Sequence, residues 1–404
     1  MSDSSAQIAI YLRLLSGGGA ERMMVNLMQG FVDYGLSVDL VLNKADGPYL
    51  NLVPSQVRII DLHAPRMLQG LPKLAGYLRR ERPTAMLTTL HYNIEIAIWA
   101  KRLANVNTRL SVREANTLSS QSKYCKTDQW SGRLAKWFYP WADEVIAVSH
   151  GVADDLSKVT GLPTAQLKVV YNPVITPSLI ENSKAALDHP WLVSKAAPVV
   201  LGVGRLSEQK DFSTLIKAFA QVRQHRVARL LILGVGPERQ SLLALADQLG
   251  IRADVAFLGF VNNPHAYMKQ SDVFVLSSKW EGLPNVLIEA MAVGTPVVST
   301  NCPSGAAEIL AEGQYGKLVE IGDSQGMANA ISKVLDGDVR SVGADWLEQF
   351  TLATAVKNYL PVLLPAGTER SPDASKEMRS GRSGDHGLAK NSLSSSRSES
   401  SKDR

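Results

Sequence analysis

Residues 273–300, VFVLSSKWEGLPNVLIEAMAVGTPVVST, give the clearest indication of the fold. They predict a strand over Val273–Leu276, a helix over Asn285–Ala292 and a second strand over Val297–Thr300. Short, largely apolar strands separated by a helix are typical of a parallel sheet that helices cover on both faces. The segment therefore predicts one β-α-β unit of an α/β fold.

The same alternation continues on both sides of this unit. Further strands are predicted at Ile8–Leu12, Val38–Leu42, Val57–Ile60, Ala85–Thr89, Arg109–Val112, Val145–Val148, Lys168–Val170, Val199–Val203, Arg229–Leu233 and Val255–Phe257. Further helices are predicted at Ala20–Tyr34, Phe212–Gln224 and Glu238–Leu249.

A proline-rich segment between Asn172 and Pro198 divides the pattern into two series. We predict two doubly wound, Rossmann-like α/β domains, residues 1–185 and 186–364, which face a central cleft. Residues 365–404 are rich in Ser, Gly and charged residues, so they cannot bury enough apolar surface to fold and are predicted to be a disordered tail. Because ligands bind at the carboxyl ends of strands in such sheets, we expect a ligand in the cleft.

Composition excludes several classes of protein. Of the 404 residues, 45% are hydrophobic and 20% are charged, as in a globular chain. The chain has two cysteines, which are too few for a disulfide scaffold or a thiolate-rich zinc site. The formal charge of +5 is too small to indicate a nucleic-acid-binding protein. We find no transmembrane or signal-peptide pattern, which favours a cytoplasmic location.

Two glycine-containing loops that precede helices are candidate anion sites. They are GGGAER at Gly17–Arg22 and GVGRLSEQK at Gly202–Lys210. Glycine lets backbone N–H groups approach an anion at the N-terminus of a helix. For Gly17–Arg22 a plain strand–helix turn is the alternative. In the second loop Arg205 and Lys210 add two cations that can converge on one anionic group, although solvated surface cations are the alternative. A third loop, GVGPE at Gly234–Glu238, is predicted to be structural.

The strongest candidate site is EGLPNVLIEA at Glu281–Ala290. Pro284 starts a helix there, so the N–H groups between Gly282 and Asn285 face an anion in the cleft. Glu281 and Glu289 are eight residues apart, about 12 Å along a helix, and carboxylates accept paired hydrogen bonds from sugar hydroxyls. This spacing suits a nucleoside diphosphate sugar. The alternative is a charge-stabilised helix with one exposed glutamate.

Residues 258–310, together with the motifs GGGAER, AVSHGVADDL, VVYNPV, VGRLSEQKDF and LGVGPERQSLLALADQLG, resemble family-4 retaining glycosyltransferases of group 1 type. The resemblance covers roughly residues 7 to 360. It implies the two-domain GT-B architecture and retaining transfer of a sugar from a nucleotide sugar, a UDP-sugar, to a glycan or lipid-linked acceptor in surface polysaccharide or lipopolysaccharide assembly.

The resemblance also implies a role for individual residues. Those that bind the donor are Gly18 and Gly19 (a closing loop), Gly259, Phe260 and Val261 (the base), Gly282, Leu283, Pro284 and Asn285 (the helix start), and Glu289 (the ribose). Those at the reacting centre are Arg205 and Lys210 (the diphosphate), Glu281 (the transferred sugar) and His91. Arg113 would assist an acceptor or a phosphate. A packed or surface side chain remains the alternative for His91 and Arg113.

Charge development in the reaction accounts for these residue types. Breaking the anomeric bond adds negative charge to the departing diphosphate, so Arg205, Lys210 and the helix N-terminus stabilise the transition state more than the ground state. No pair of carboxylates suggests a covalent nucleophile, and the resemblance implies same-face substitution. It also implies no cofactor and no metal; Asp336-Gly337-Asp338 is predicted to be a turn that ends a helix.

The segment Lys123–Trp141 combines basic and aromatic residues. Such a combination could rest on a membrane that carries the acceptor, as a peripheral contact on the inner face of the cytoplasmic membrane. Packing of its aromatic residues into the core of the first domain is the alternative.

Three other functions are alternatives. A nucleotide-sugar hydrolase or epimerase on the same fold stays open, because it would differ only in acceptor dependence. A nicotinamide oxidoreductase is disfavoured since no glycine loop completes GxGxxG. A non-catalytic binding subunit is disfavoured because the set of cations and glutamates is intact.

Overall fold

The computed structural model describes residues 7–124 and 131–364. The strands are β1 (Gln7–Leu12), β2 (Ser37–Leu42), β3 (Arg58–Asp61), β4 (Ala85–Thr89), β5 (Arg109–Glu114), β6 (Glu144–Ala147), β7 (Leu167–Val169), β8 (Val199–Val203), β9 (Arg229–Leu233), β10 (Val255–Gly259), β11 (Val273–Leu276), β12 (Val297–Thr300) and β13 (Lys317–Val319). The predicted tail, residues 365–404, lies outside the described residues.

The helices alternate with these strands. They are α1 (Gly19–Asp33), α2 (Met67–Glu81), α3 (His91–Ala104), α4 (Leu118–Tyr124), α5 (Ser131–Phe138), α6 (His150–Thr160), α7 (Pro177–Ser183), α8 (Pro190–Ser194), α9 (Phe212–His225), α10 (Arg239–Gln248), α11 (Pro264–Gln270), α12 (Asn285–Ala292), α13 (Ala306–Ile309), α14 (Ser324–Leu335), α15 (Ala344–Leu347) and α16 (Leu352–Leu363). Single 3₁₀ turns occur at Leu50–Leu52, Tyr139–Trp141, Thr164–Gln166, Arg252–Asp254 and Glu348–Phe350.

The strands form two parallel sheets. The first has seven strands in the order β3-β2-β1-β4-β5-β6-β7, and the second has six in the order β10-β9-β8-β11-β12-β13. Chain order reverses on either side of β1 and of β8, which is the doubly wound topology whose switch points bind ligands. The predicted fold class, two doubly wound α/β domains, is confirmed.

Buried side chains lie on both faces of each sheet. One cluster lies between the first sheet, α1 and α16, and another lies between the second sheet, α9 and α14. The largest cluster is continuous from Tyr11 and Leu110 in the first domain to Phe274 and Leu287 in the second. The two domains therefore share buried apolar surface.

The last helix, α16, packs on the first sheet although it follows the second along the chain. Leu352 donates its N–H to the carbonyl of Ile175 (3.0 Å), and α16 then crosses α1 at Gly30. A Cβ at Gly30 would lie 2.3 Å from Val356 Cγ2, so the close crossing needs glycine. The predicted second domain, residues 186–364, included this helix. The boundary at residue 185 itself stays a prediction.

Candidate functional site

The carboxyl ends of the two sheets meet through polar contacts. The Ser149 hydroxyl, at the start of α6, donates to the carbonyl oxygen of Gly282 (2.9 Å). The Asn172 side-chain amide, just after β7, donates to Asn285 Oδ1 at the start of α12 (2.7 Å). The predicted donor segment of the second domain thus lies against the first domain.

Lys210 and Glu281 form an ion pair beside the neighbouring strands β8 and β11. The Ser278 hydroxyl donates to the same carboxylate (2.6 Å), and the Ser277 hydroxyl donates to the carbonyl of Lys210 (2.7 Å). Only 18% of the Lys210 side chain and 8% of the Glu281 side chain are exposed. The structure therefore brings together the predicted diphosphate cation and the predicted sugar-binding carboxylate.

Arg205 lies on the same loop after β8, but it is exposed. No residue in the described part of the chain forms a hydrogen bond or an ion pair with its guanidinium. The two predicted cations thus differ: Lys210 is bound to Glu281, and Arg205 is available to an anion from solvent.

Cys302 is buried near this ion pair but is not a nucleophile at neutral pH. Burial, with a further contribution from the charge of Glu281, raises the pKa of its thiol to about 12. The thiol therefore stays protonated at neutral pH, whereas only the thiolate form of a cysteine is a nucleophile.

Glycine is required where the loops around the ion pair touch other backbone. A Cβ at Gly282 would lie 2.0 Å from the carbonyl oxygen of Ala115, and a Cβ at Gly236 would lie 2.2 Å from that of Leu206. The contact at Gly236 agrees with the structural role predicted for the Gly234–Glu238 loop.

Backbone donors are left open between Gly282 and the start of α12. The N–H groups of Gly282 and Leu283 make no hydrogen bond to any residue that the structure describes, although both residues are buried. Pro284 occupies the N-cap position of α12 and contributes no N–H group of its own. Buried N–H groups are nearly always paired in folded proteins, so this segment offers donors to a ligand.

Glu289 lies one turn inside α12, with 14% of its side chain exposed. Its carboxylate is 3.7 Å from Nε2 of His265, which is the second residue of α11 and is buried. The pKa of Tyr49, in the first domain, is raised, chiefly by burial, with smaller contributions from the charges of Glu21 and Glu289.

The loop before α1 also reaches α12. Gly18 is the N-cap residue of α1, and a Cβ at Gly19 would lie 3.5 Å from the Asn285 amide nitrogen. The Tyr49 hydroxyl donates to the carbonyl of Gly17 (3.0 Å), which fixes the loop. Gly18 and Gly19 therefore lie at the interface between the domains, where a closing loop was predicted.

The predicted base-binding turn follows β10. Gly259 has φ +76, a left-handed conformation that favours glycine, and its carbonyl accepts the N–H of Gly234 (2.7 Å). Phe260 is 55% exposed and Val261 is half-buried. The turn thus leaves the aromatic side chain of Phe260 exposed, as contact with a base requires.

His91 and Arg113 lie at the ends of neighbouring strands but differ in accessibility. His91 is the first residue of α3 and is half-buried, and its ring is tilted by 43° against that of Tyr92, with centroids 3.8 Å apart. Arg113 is 1% exposed and donates to Thr89 Oγ1 (3.0 Å) and to the Asn172 carbonyl oxygen Oδ1. This buried position fits the alternative, a packed side chain, rather than the predicted assistance to an acceptor or a phosphate.

Sequence reasoning missed Ser149, Asn172, Ser304 and His265. Ser149 and Asn172 lie inside motifs quoted above, AVSHGVADDL and VVYNPV, but no role was assigned to them. Their importance depends on contacts across the interface, which no local pattern reveals.

The Asp336-Gly337-Asp338 turn does not resemble a metal site. Asp336 pairs with Arg226, and Asp338 pairs with Lys317 (2.6 Å). Within residues 7–124 and 131–364 no three His, Cys, Asp or Glu side chains are grouped to hold a metal ion. Independence of metal stays a prediction.

The predicted membrane segment falls partly outside the described residues, which omit Lys126 and Trp130. In the described part, Trp99, Phe138 and Trp141 pack edge to face, with centroids 5.6 to 6.0 Å apart. Trp137 is 71% exposed. Some of these aromatic residues therefore pack together while others face solvent. None of the described helices has the length and apolar character needed to cross a bilayer.

Two family models match the chain. Residues 17–176 match the model described as Glycosyltransferase Family 4, and residues 184–344 match that described as Glycosyl transferases group 1. Together they span nearly all of the two domains.

Curated relatives match over most of their length. The chain is 29% identical over 345 residues to the N-acetylgalactosamine-N,N'-diacetylbacillosaminyl-diphospho-undecaprenol 4-alpha-N-acetylgalactosaminyltransferase of Campylobacter jejuni, covering 82% of this chain and 91% of the relative. It is 29% identical to the lipopolysaccharide core biosynthesis glycosyltransferase LpsE of Rhizobium meliloti, covering 80% and 88%.

Solved structures share the fold. The Anabaena protein HepE in complex with UDP and glucose superposes with a TM-score of 0.66 at 21% identity, covering 93% of this chain and 100% of that one.

Proposed function

The chain belongs to the group 1 glycosyltransferases, and from this premise we propose that it transfers a hexose-type sugar from a UDP-sugar, with retention of anomeric configuration, to a glycan or lipid-linked acceptor in surface polysaccharide or lipopolysaccharide assembly. The relatives support the acceptor class, since one is named for a diphospho-undecaprenol substrate and the other for lipopolysaccharide core synthesis. HepE, solved with UDP and glucose, motivates the choice of donor.

The observation that carries the proposal is the unpaired N–H groups of Gly282 and Leu283 beside Lys210. In the proposed complex these donors and the ammonium bind the diphosphate, and the exposed Arg205 closes on it from solvent. The departing diphosphate gains negative charge as the anomeric bond breaks. Fixed donors aimed at that charge stabilise the transition state without reorganising during the reaction.

The two carboxylates have separate proposed roles. Glu281 has one oxygen engaged by Lys210 and Ser278, which leaves its second oxygen to accept from a hydroxyl of the transferred sugar. Glu289, near the start of α12, accepts from the ribose hydroxyls. His91 is proposed to contact the reacting sugar from the first domain.

The remaining donor contacts come from three loops. The Gly18–Gly19 loop is proposed to close over the donor from the first domain, and Gly259, Phe260 and Val261 to hold the base. Pro284 and Asn285 fix the start of α12. No cofactor or metal is part of the proposal.

Transfer is tested by a donor panel followed by acceptors. UDP-, GDP- and ADP-sugars are screened by thermal shift, and the stabilising donor is then assayed with synthetic lipid-linked acceptors in EDTA. We expect a UDP-sugar to stabilise, transfer to require acceptor, and the product linkage to keep the donor's anomeric configuration by NMR. Donor breakdown that is independent of acceptor would favour the hydrolase alternative, and isomerised donor would favour the epimerase.

We also propose that the first domain contacts the inner face of the cytoplasmic membrane. Trp99 and Leu103 on α3 and Trp137 on α5 are 43%, 48% and 71% exposed. Arg102 lies over the Trp141 ring, 3.7 Å from its centroid. Exposed aromatic and basic groups together favour the headgroup region of an anionic bilayer.

Vesicle flotation tests this contact. Trp137→Ser and Leu103→Ser should each lower binding to vesicles that contain anionic phospholipid. Val227→Ser, which removes a 60% exposed apolar residue from the second domain, should not. Equal binding by all three variants would contradict the proposed surface.

A further inference from the structure

The Gly282–Asn285 segment is held from the first domain at both of its ends. Ser149 donates to the carbonyl at one end and Asn172 donates to the side chain at the other (2.9 and 2.7 Å). Both contacting residues are buried, with exposures of 0% and 4%. The first domain therefore restrains a segment of the second.

The contact at Gly282 fixes the direction of a backbone donor. The hydroxyls of Ser149 and Ser304 lie 2.9 and 2.8 Å from the Gly282 carbonyl oxygen and 2.7 Å from each other. Because a trans peptide is planar, the N–H of Leu283 points opposite to that carbonyl. Holding the carbonyl therefore orients the Leu283 N–H, which has no acceptor among the described residues.

The contact at Asn285 is anchored in the first sheet. Asn172 accepts a hydrogen bond from the guanidinium of Arg113, which also donates to Thr89. No described carboxylate forms an ion pair with the buried Arg113. Asn172 is therefore the neutral link between a buried cation at the end of β5 and the first residue of α12.

We propose that Ser149 and Asn172 are positioning residues, which orient the N–H groups between Gly282 and Asn285 toward the diphosphate of the donor without touching it. The inference rests on the proposed function, because it assigns to the first domain a part in diphosphate binding. It also gives Arg113 a function that its buried position allows: it holds Asn172.

The prediction separates phosphate binding from base binding. Ser149→Ala and Asn172→Ala should each weaken UDP about tenfold, since an oriented hydrogen bond to a charged group is lost. Binding of uridine, which has no phosphate, should change less than twofold. UDP is measured by calorimetry and uridine by ligand-observed NMR.

Two further variants distinguish positioning from a general loss of structure. Ser149→Thr keeps a hydroxyl and should restore UDP affinity to within twofold of the unmodified protein. Ser149 is also the N-cap of α6, so Asp323→Ala, which removes the N-cap of α14, is the matched control and should change neither affinity.

The outcomes are distinct. The inference is overturned if Ser149→Ala or Asn172→Ala binds UDP within twofold of the affinity of the unmodified protein. It is also overturned if the affinities for UDP and for uridine fall equally. If one of these two variants does not fold, the UDP and uridine affinities of the other are sufficient for the test. Failure of the unmodified protein to bind UDP or uridine would instead contradict the proposed UDP-sugar donor.

Discussion

Lys210 and Glu281, 71 residues apart in sequence, form a largely buried ion pair between β8 and β11. The Glu281 carboxylate beside the ammonium holds the Lys210 side chain in place. Ser278 donates to the same carboxylate, which fixes Glu281 as well. The pair is therefore a pre-formed part of the site.

Removing one partner of this pair should destabilise the fold. Lys210→Met or Glu281→Leu leaves an uncompensated charge, so we expect each to lower the free energy of unfolding by about 3 kcal/mol. The double variant should cost less than the sum of the two. The exposed pair Lys184–Glu181 is the control. Removing one partner of that pair should lower the free energy of unfolding by only about 0–1 kcal/mol in the same urea titrations. Additive effects at Lys210 and Glu281 would show that the pair is not coupled.

Arg205 should affect catalysis without affecting stability. Its side chain is exposed, so Arg205→Ala should leave the melting temperature unchanged. If it stabilises the departing diphosphate, kcat/KM should fall about 10²-fold. Arg340→Ala, at an exposed arginine after α14, should leave both unchanged. Near-normal turnover in Arg205→Ala would remove this residue from the mechanism.

Glu289 and Glu281 should separate binding from transfer. Glu289→Ala removes the proposed ribose acceptor, so it should weaken UDP binding more than it lowers kcat. Glu281→Ala removes the proposed sugar contact, so it should mainly lower kcat in folded protein. Calorimetry and steady-state kinetics measure the two quantities. Equal and negligible effects of both variants would defeat the role assignment.

Glu95, half-buried on α3, should make stability depend on pH. Burial raises the pKa of this carboxyl from 4.5 to about 7. Between these two values the unfolded chain releases a proton that the folded protein retains, so stability falls as pH rises from about 4.5 to 7. Glu95→Gln should therefore raise the melting temperature at pH 8 and not at pH 4. The exposed Glu181→Gln should show no such difference.

Local patterns predicted the two sheets and the loops that follow their strands, because each β-α unit is encoded over a few tens of residues. Strand β13 was missed, since its three residues are half-buried and give no apolar run. The return of α16 to the first domain could not be predicted, because a helix pattern shows an apolar face but not its partner.

In the candidate site, too, the sequence predicts the residues within each motif but not the contacts between distant segments. Glu281, Lys210 and the start of α12 belong to motifs, so sequence identified them. Their pairing, and the hydrogen bonds of Ser149 and Asn172 across the interface, are set by packing between distant segments. The buried position of Arg113 likewise depends on tertiary structure, because SVREAN alone does not indicate which side chain faces the core.

A crystal structure with a bound, non-hydrolysable UDP-sugar tests the central claim most directly. We predict a pyrophosphate in hydrogen-bond contact with Lys210, Arg205 and the N–H groups that precede Asn285, with the sugar at Glu281. A pyrophosphate bound elsewhere, with Lys210 still paired to Glu281 and those N–H groups unoccupied, would contradict it.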